Sequence, residues 1–286
     1  MKLVESVYEI SETFMKNPEL VFMNDNKINN VAEDMLDAGR PIFSFPVSEN
    51  IYKQIVIELV ASSVNYCYWY GKHNIRPNGS SSTLMYECLQ NAFFDYEHPD
   101  KKQFKLCIER FIQLMSIKRF PLIEERERHL RQLLNGAEEY AIIIESHHED
   151  GKVEEYMSSL ISYFSGFASD IFLKRASLFF IQLFRCFGWF EPDLHNLHVP
   201  ADYQIPKMLN HYGCLIYEEE LDDAIDFSQP LPKHSQAECE IRAATVLTIK
   251  KLCEITGWNV AEVDGYFFSK RYETKNPFHL CITTDY

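Results

Sequence analysis

Lys174 stands in a stretch, 169–187, that is apolar almost all round: Ile171, Phe172, Leu173, Leu178, Phe179, Phe180, Ile181, Leu183 and Phe184 surround it. A lysine in such a run must pair, snorkel to water, or line a polar cavity. Asp202 stands just before a segment that buries Ile205, Met208, Leu209 and Tyr212 in a helical pattern. Asp is a favoured helix cap, and capping alone explains it. A carboxylate at a helix start is also held rigidly, so a cap can do chemistry as well. Asp264 opens Asp264-Gly265-Tyr266-Phe267-Phe268-Ser269-Lys270-Arg271, a helix with an aromatic face, where the plain reading is a solvated carboxylate. Glu238 and Arg242, four residues apart, read as a surface ion pair. Gly79 to Thr83 precede a helix, so free N–H groups and hydroxyls there suit a phosphate, although an ordinary loop looks the same. Tyr66, Tyr68, Trp69 and Tyr70 read as core aromatics or as a stacking surface for a planar ligand.

The sequence excludes several common chemistries. Its eight cysteines are scattered with no CxxC pair, and most read as buried thiols rather than a disulfide framework. The close histidine pairs, His147-His148 and His195-x-x-His198, lack the neighbours of a zinc site, so no metal is expected. No GxGxxG, GxxxxGK[ST], GxSxG or HExxH occurs.

The elements that must position these residues are mostly helical. From Ala237 to Ile255 apolar or small residues recur every three or four positions, Ser235 and Glu238 form a capping-box pattern, and Gly257 is placed to end the helix. Residues 121–149 read as one long charged helix, and further helices are expected near 5–16, 28–38, 50–62, 82–95, 101–115, 152–164, 203–212, 218–226 and 259–272. Strand signals are confined to 64–70 and 279–283. No Gly/Ser/Pro-rich linker divides the 286 residues, and the expectation is a single, mostly α-helical domain over 1–286 with few short strands. The net charge of −14 opposes a partner that is duplex nucleic acid. No run of about 18 apolar residues predicts a membrane span. The glutamates at 5, 9 and 12 are unlike an export signal, so a cytoplasmic location is expected.

Several short motifs then fall in a telling order: Asn65-Tyr-Cys-Tyr-Trp69, Pro121-Leu-Ile-Glu-Glu-Arg126, Leu173-Lys-Arg-Ala176, Ala201-Asp-Tyr-Gln-Ile-Pro206, Gly213 with Tyr217, Glu238-Cys-Glu-Ile-Arg-Ala243, Asp264, and Pro277-Phe-His279. Each alone is weak. The ordered set resembles the queuosine salvage protein family, the queuosine 5′-phosphate N-glycosylases, over nearly the whole chain. The resemblance implies a fold related to the helix-hairpin-helix DNA glycosylases. It also implies hydrolysis of queuosine 5′-phosphate to release queuine, with no cofactor. It implies Asp202 and Lys174 as catalytic residues, and Asp264, Gly265, Tyr203, Pro200, Ser269, Phe43 and Trp69 as substrate contacts. Against the family pattern, Pro200 replaces an aromatic residue, Ser269 an acidic one and Gln204 a basic one, and Phe43 or Ser44 falls where a histidine is expected. These departures bear on which 7-deazaguanine base is accepted. The rival readings are a DNA glycosylase and a non-catalytic binder of deazaguanine nucleotides.

Overall fold

The computed structural model describes residues 3–43, 47–70, 81–149 and 152–286. Thirteen α-helices carry these residues: α1 Leu3–Phe14, α2 Asp25–Ala38, α3 Ile51–Ser63, α4 Ser82–Ala92, α5 Lys101–Ile117, α6 Ile123–Leu133, α7 Ala137–His147, α8 Val153–Tyr163, α9 Lys174–Phe187, α10 Gln204–His211, α11 Glu219–Asp226, α12 Gln236–Thr256 and α13 Val260–Ser269. One continuous apolar core joins them, so the chain is a single, mostly helical domain. Two helices run through its middle. α3 buries all but two of its thirteen residues and packs on α4, α7 and α9; α12 packs on α1, α2 and α13.

Side chains at the helix starts fix where these helices begin. Asn24, Asn50, Ser81, Asp100 and Asn259 each accept a hydrogen bond from a first-turn N–H. The expected capping box at Ser235 and Glu238 is only half formed. Ser235 accepts from the Glu238 N–H, but the Glu238 carboxylate accepts from His234 and turns to Arg242. A complete box stands at Asn259 and Glu262 instead.

Three expectations are corrected. The charged segment 121–149 is two helices, α6 and α7, broken at 134–136. The apolar run 169–187 becomes helical only from Lys174, because Leu173 is left-handed (φ 47°) and Asp170 caps the helix through the N–H groups of Phe172 and Lys174. Neither expected strand forms. In 64–70 the carbonyls of Val64, Tyr66 and Cys67 are taken by the buried Arg126 guanidinium, and Cys67 has φ 31°, so no sheet partner can use them. At 279–283 a single bridge from Leu280 to Pro230 is all that remains. The strands among the described residues are elsewhere, β1 Val21–Met23 paired antiparallel with β2 Leu215–Tyr217. Apolar alternation over three residues is too short to read as a strand from sequence. Among the described residues no helix is long and apolar enough to cross a membrane.

Candidate active site

A cavity of about 430 Å³ opens between α3, α4, α9, α10 and α13. That is the size of a small-molecule site. Along α9 its lining runs Lys174, Leu178, Gln182 and Arg185, spaced four, four and three, so one helix face supplies a wall roughly 16 Å long at 1.5 Å per residue. A larger groove, about 880 Å³, runs along α1 and α12 between carboxylates such as Glu5, Glu9 and Glu254, and holds none of the expected site residues.

At one end of the smaller cavity Lys174 and Asp202 meet. Lys174 is 2% exposed. Its Nζ donates to the Asn65 carbonyl at 2.8 Å and to Asn65 Oδ1 at 3.2 Å. Burial lowers its pKa to about 8, against the field of Asp202, which raises it. Asp202 makes no direct ion pair with Lys174; its Oδ1 accepts from the N–H groups of Gln204 at 2.7 Å and Ile205 at 3.4 Å. The N-cap expected at Asp202 falls one residue later, at Tyr203, yet Asp202 accepts from the first-turn N–H groups from just outside the helix and lines the cavity. Burial, with the nearby Asp264 carboxylate, pushes the Asp202 carboxyl up, while Lys174 and the two N–H groups hold it down. A partly shielded carboxylate and a buried ammonium share the cavity without neutralising each other by contact.

Arg242 positions this pair. It is fully buried, and its Nη1 and Nη2 grip both oxygens of Asp170 at 2.8 and 2.7 Å. Asp170 caps the helix that begins at Lys174, and Arg242 Nε donates to the carbonyl of Ala201, next to Asp202, at 3.0 Å. One guanidinium thus ties together two chain segments whose reactive residues lie 28 positions apart. The Glu238–Arg242 spacing predicted a surface pair; both side chains are buried instead, with Asp170 as a third member. Helical spacing is the same for a surface pair and a buried one, and Asp170, 72 residues from Arg242, gives no local signal.

Asp264, near enough for its charge to act on Asp202, pairs with Arg185 through Oδ2 at 2.5 Å, both side chains 7% exposed. It is buried, not the solvated carboxylate that its helix position suggested. Phe43 stacks beneath the guanidinium, 5.2 Å from its ring centre. A Cβ on Gly265 would lie 2.5 Å from the Phe43 ring, so glycine is what allows this ring to support Arg185. Phe43 and Gly265 do not line the cavity; they pack against the Arg185 side chain behind it.

Pro200 and Tyr203 line the cavity beside Asp202. Trp69 does not: it is buried behind Tyr203, edge-on at 4.5 Å, with Phe278 closing the cluster. Ser269 is exposed, donates to the Tyr266 carbonyl and lies outside the cavity. Of the aromatic group, Tyr68 lines the cavity, Tyr66 is core, and Tyr70 is 43% exposed. In the phosphate-suited segment, Ser81, Ser82 and Thr83 line the cavity at the start of α4 with Arg271 in the same lining, whereas Gly79 and Ser80, like Ser44, lie outside the described residues. The sequence reading missed Glu58, Gln54, Tyr86, Gln182 and Arg185 as lining residues. Glu58 in the buried α3 carried the same signal as Lys174, a charge among apolar neighbours. Among the described residues no cluster of side chains is suited to hold a metal ion.

Comparison of the sequence with known proteins identifies its relatives. The sequence profile of the queuosine salvage protein family matches residues 49–268. A queuosine 5′-phosphate N-glycosylase/hydrolase of Sphaerobacter thermophilus is 37% identical over 100 residues, 33% of this chain and 31% of the relative. Proteins of the same name from Nematostella vectensis and Dictyostelium discoideum are 30% identical over 149 residues and 26% over 218, covering 46% and 68% of this chain and 42% and 64% of those relatives. The matched stretches thus span less than two thirds of each relative's length.

Proposed function

The chain belongs to the queuosine salvage protein family, and from that premise we propose that it hydrolyses the N-glycosidic bond of queuosine 5′-phosphate, or of a closely related 7-deazaguanine nucleotide, to release the free base for salvage into tRNA. The observation that carries this reading is the meeting of Asp202 and Lys174 in one nucleotide-sized cavity. Cleavage of the bond builds positive charge on the sugar. A fixed carboxylate beside the anomeric carbon stabilises that charge more than the neutral ground state, and this difference is what accelerates the reaction. Asp202 takes that place, held by two backbone N–H groups, and also orients or deprotonates the attacking water. Lys174 keeps Asp202 ionised. A 7-deaza base has carbon where a purine has N7, so protonation there cannot assist departure and the base must be held by its other edges. Asp264 has one oxygen engaged by Arg185; the second accepts from the N1–H and exocyclic amine of the guanine-like ring. The hydroxyls and N–H groups of Ser82 and Thr83, with Arg271, face the 5′-phosphate.

The single helical domain and its lysine–aspartate pair support a relationship to the helix-hairpin-helix DNA glycosylases. The net charge of −14 supports a small-molecule substrate over nucleic acid. No cofactor enters any step. Incubation of the pure protein with queuosine 5′-phosphate, followed by mass spectrometry, is expected to show free queuine accumulating over many turnovers. Retention of intact nucleotide without release of base would leave a binding protein instead.

A further inference from the structure

Glu58 has no part in the chemistry above, yet it lines the same cavity and is 3% exposed. Its Oε1 accepts from Gln54 Nε2 at 2.8 Å and its Oε2 from the Tyr86 hydroxyl at 2.6 Å. The Cys186 thiol lies 4.0 Å from Oε1 as a third, weak donor, and all three donors are uncharged. The nearest cation, Arg185, is committed to Asp264, and Glu58 forms no ion pair with it. A buried carboxylate with only neutral partners is costly, and it either takes up a proton or acquires a cation. Burial accordingly raises its pKa to about 7, against the hydrogen bonds from Tyr86 and Gln54 and the field of Arg185. These neutral donors, with the Tyr86 hydroxyl supported by Gln182 at 3.1 Å, hold the carboxylate in a fixed orientation with a further lone pair on Oε2. On α3 the cavity wall therefore presents an acidic group with no ion pair to whatever fills it.

We propose that Glu58 is a specificity residue that receives a cationic substituent carried on the base. The inference rests on the proposed function, because the base of queuosine 5′-phosphate carries a secondary amine that is cationic near neutral pH. Asp202 and Lys174 act at the sugar, Asp264 at the guanine-like edge, and Glu58 completes the lining on α3 with the charge that this amine requires.

The test compares two nucleotides, queuosine 5′-phosphate and 7-deazaguanosine 5′-phosphate, which lacks the substituent. Glu58→Gln keeps size and hydrogen bonding but removes the charge. It should lower kcat/KM about tenfold or more on the first nucleotide, mainly through KM, and leave the second nearly unchanged. Equal losses on both, or none on either, would overturn the proposal and make Glu58 a structural residue. Calorimetric binding of two free bases to the wild-type protein gives a second reading that needs neither a folded variant nor turnover. The cationic 7-aminomethyl-7-deazaguanine should bind at least about tenfold more tightly than neutral 7-cyano-7-deazaguanine. Equal affinity, or no binding of either, also overturns it. Release of no base from either nucleotide by the wild type, with this base preference intact, would remove the glycosylase reading and keep Glu58 as the cation-recognising group.

Discussion

The two charged clusters of the cavity, around Asp202 and around Asp264, hold their charges in opposite ways. Around Asp202, pinning is done from behind: Arg242 and Asp170 form a fully buried pair that never reaches the cavity, and Lys174 and Asp202 are left facing it without touching each other. Around Asp264 the charged groups contact each other within the lining itself, Arg185 on Asp264, with Glu58 left over. The first arrangement suits a site that must act on a charge appearing only in the transition state, because its carboxylate is held ready without being consumed. The second suits recognition of fixed donors and charges in the ground state, which lowers KM rather than raising kcat.

This contrast can be broken most severely from behind. Arg242→Leu removes the cation between Asp170 and Glu238 and should destabilise the protein by about 3–5 kcal/mol, the usual cost of stranding a buried charge, measurable by denaturant unfolding. A loss under about 1 kcal/mol would show that Arg242 does not hold the two segments together. Asp202→Asn keeps the size and the cap but not the charge. It should lower kcat by on the order of 10²-fold or more with little change in substrate binding. Asp264→Asn should differ in kind: an amide donor opposes the donors of the base, and binding should weaken by roughly 1–3 kcal/mol with a smaller effect on kcat. Equal, mild effects from the two asparagine variants would erase the distinction and return Asp202 to a helix cap. The smallest effect concerns pH. Lys174 titrates at about 8, so kcat should fall as pH rises through that value, by about tenfold per unit once the ammonium is lost if its charge is required. The acid limb should come from protonation of Asp202, whose pKa burial raises. A rate flat from pH 7 to 9 would remove Lys174 from the chemistry.

Much of this protein was legible in its sequence. Helical periodicity, capping residues and the absence of linkers specify a single helical domain, because a 3.6-residue period and a helix cap are local properties. Lys174 and Asp202 stood out for similarly local reasons, a cation in an apolar run and a carboxylate at a helix start. The ordered motifs carried the family. Tertiary structure decided what depends on partners distant in the chain. Arg126 consumed the carbonyls that a strand at 64–70 would have needed. Asp170 moved the start of α9 to Lys174 and recruited Arg242 from a pattern that reads the same on a surface. Phe43 was placed under Arg185 rather than in the cavity lining, and Glu58 was turned into the cavity. Spacing along a chain fixes which residues share a helix face. Whether that face meets water, core or cavity depends on what packs against it, and for a buried charge the answer is given by the one partner that sequence distance hides.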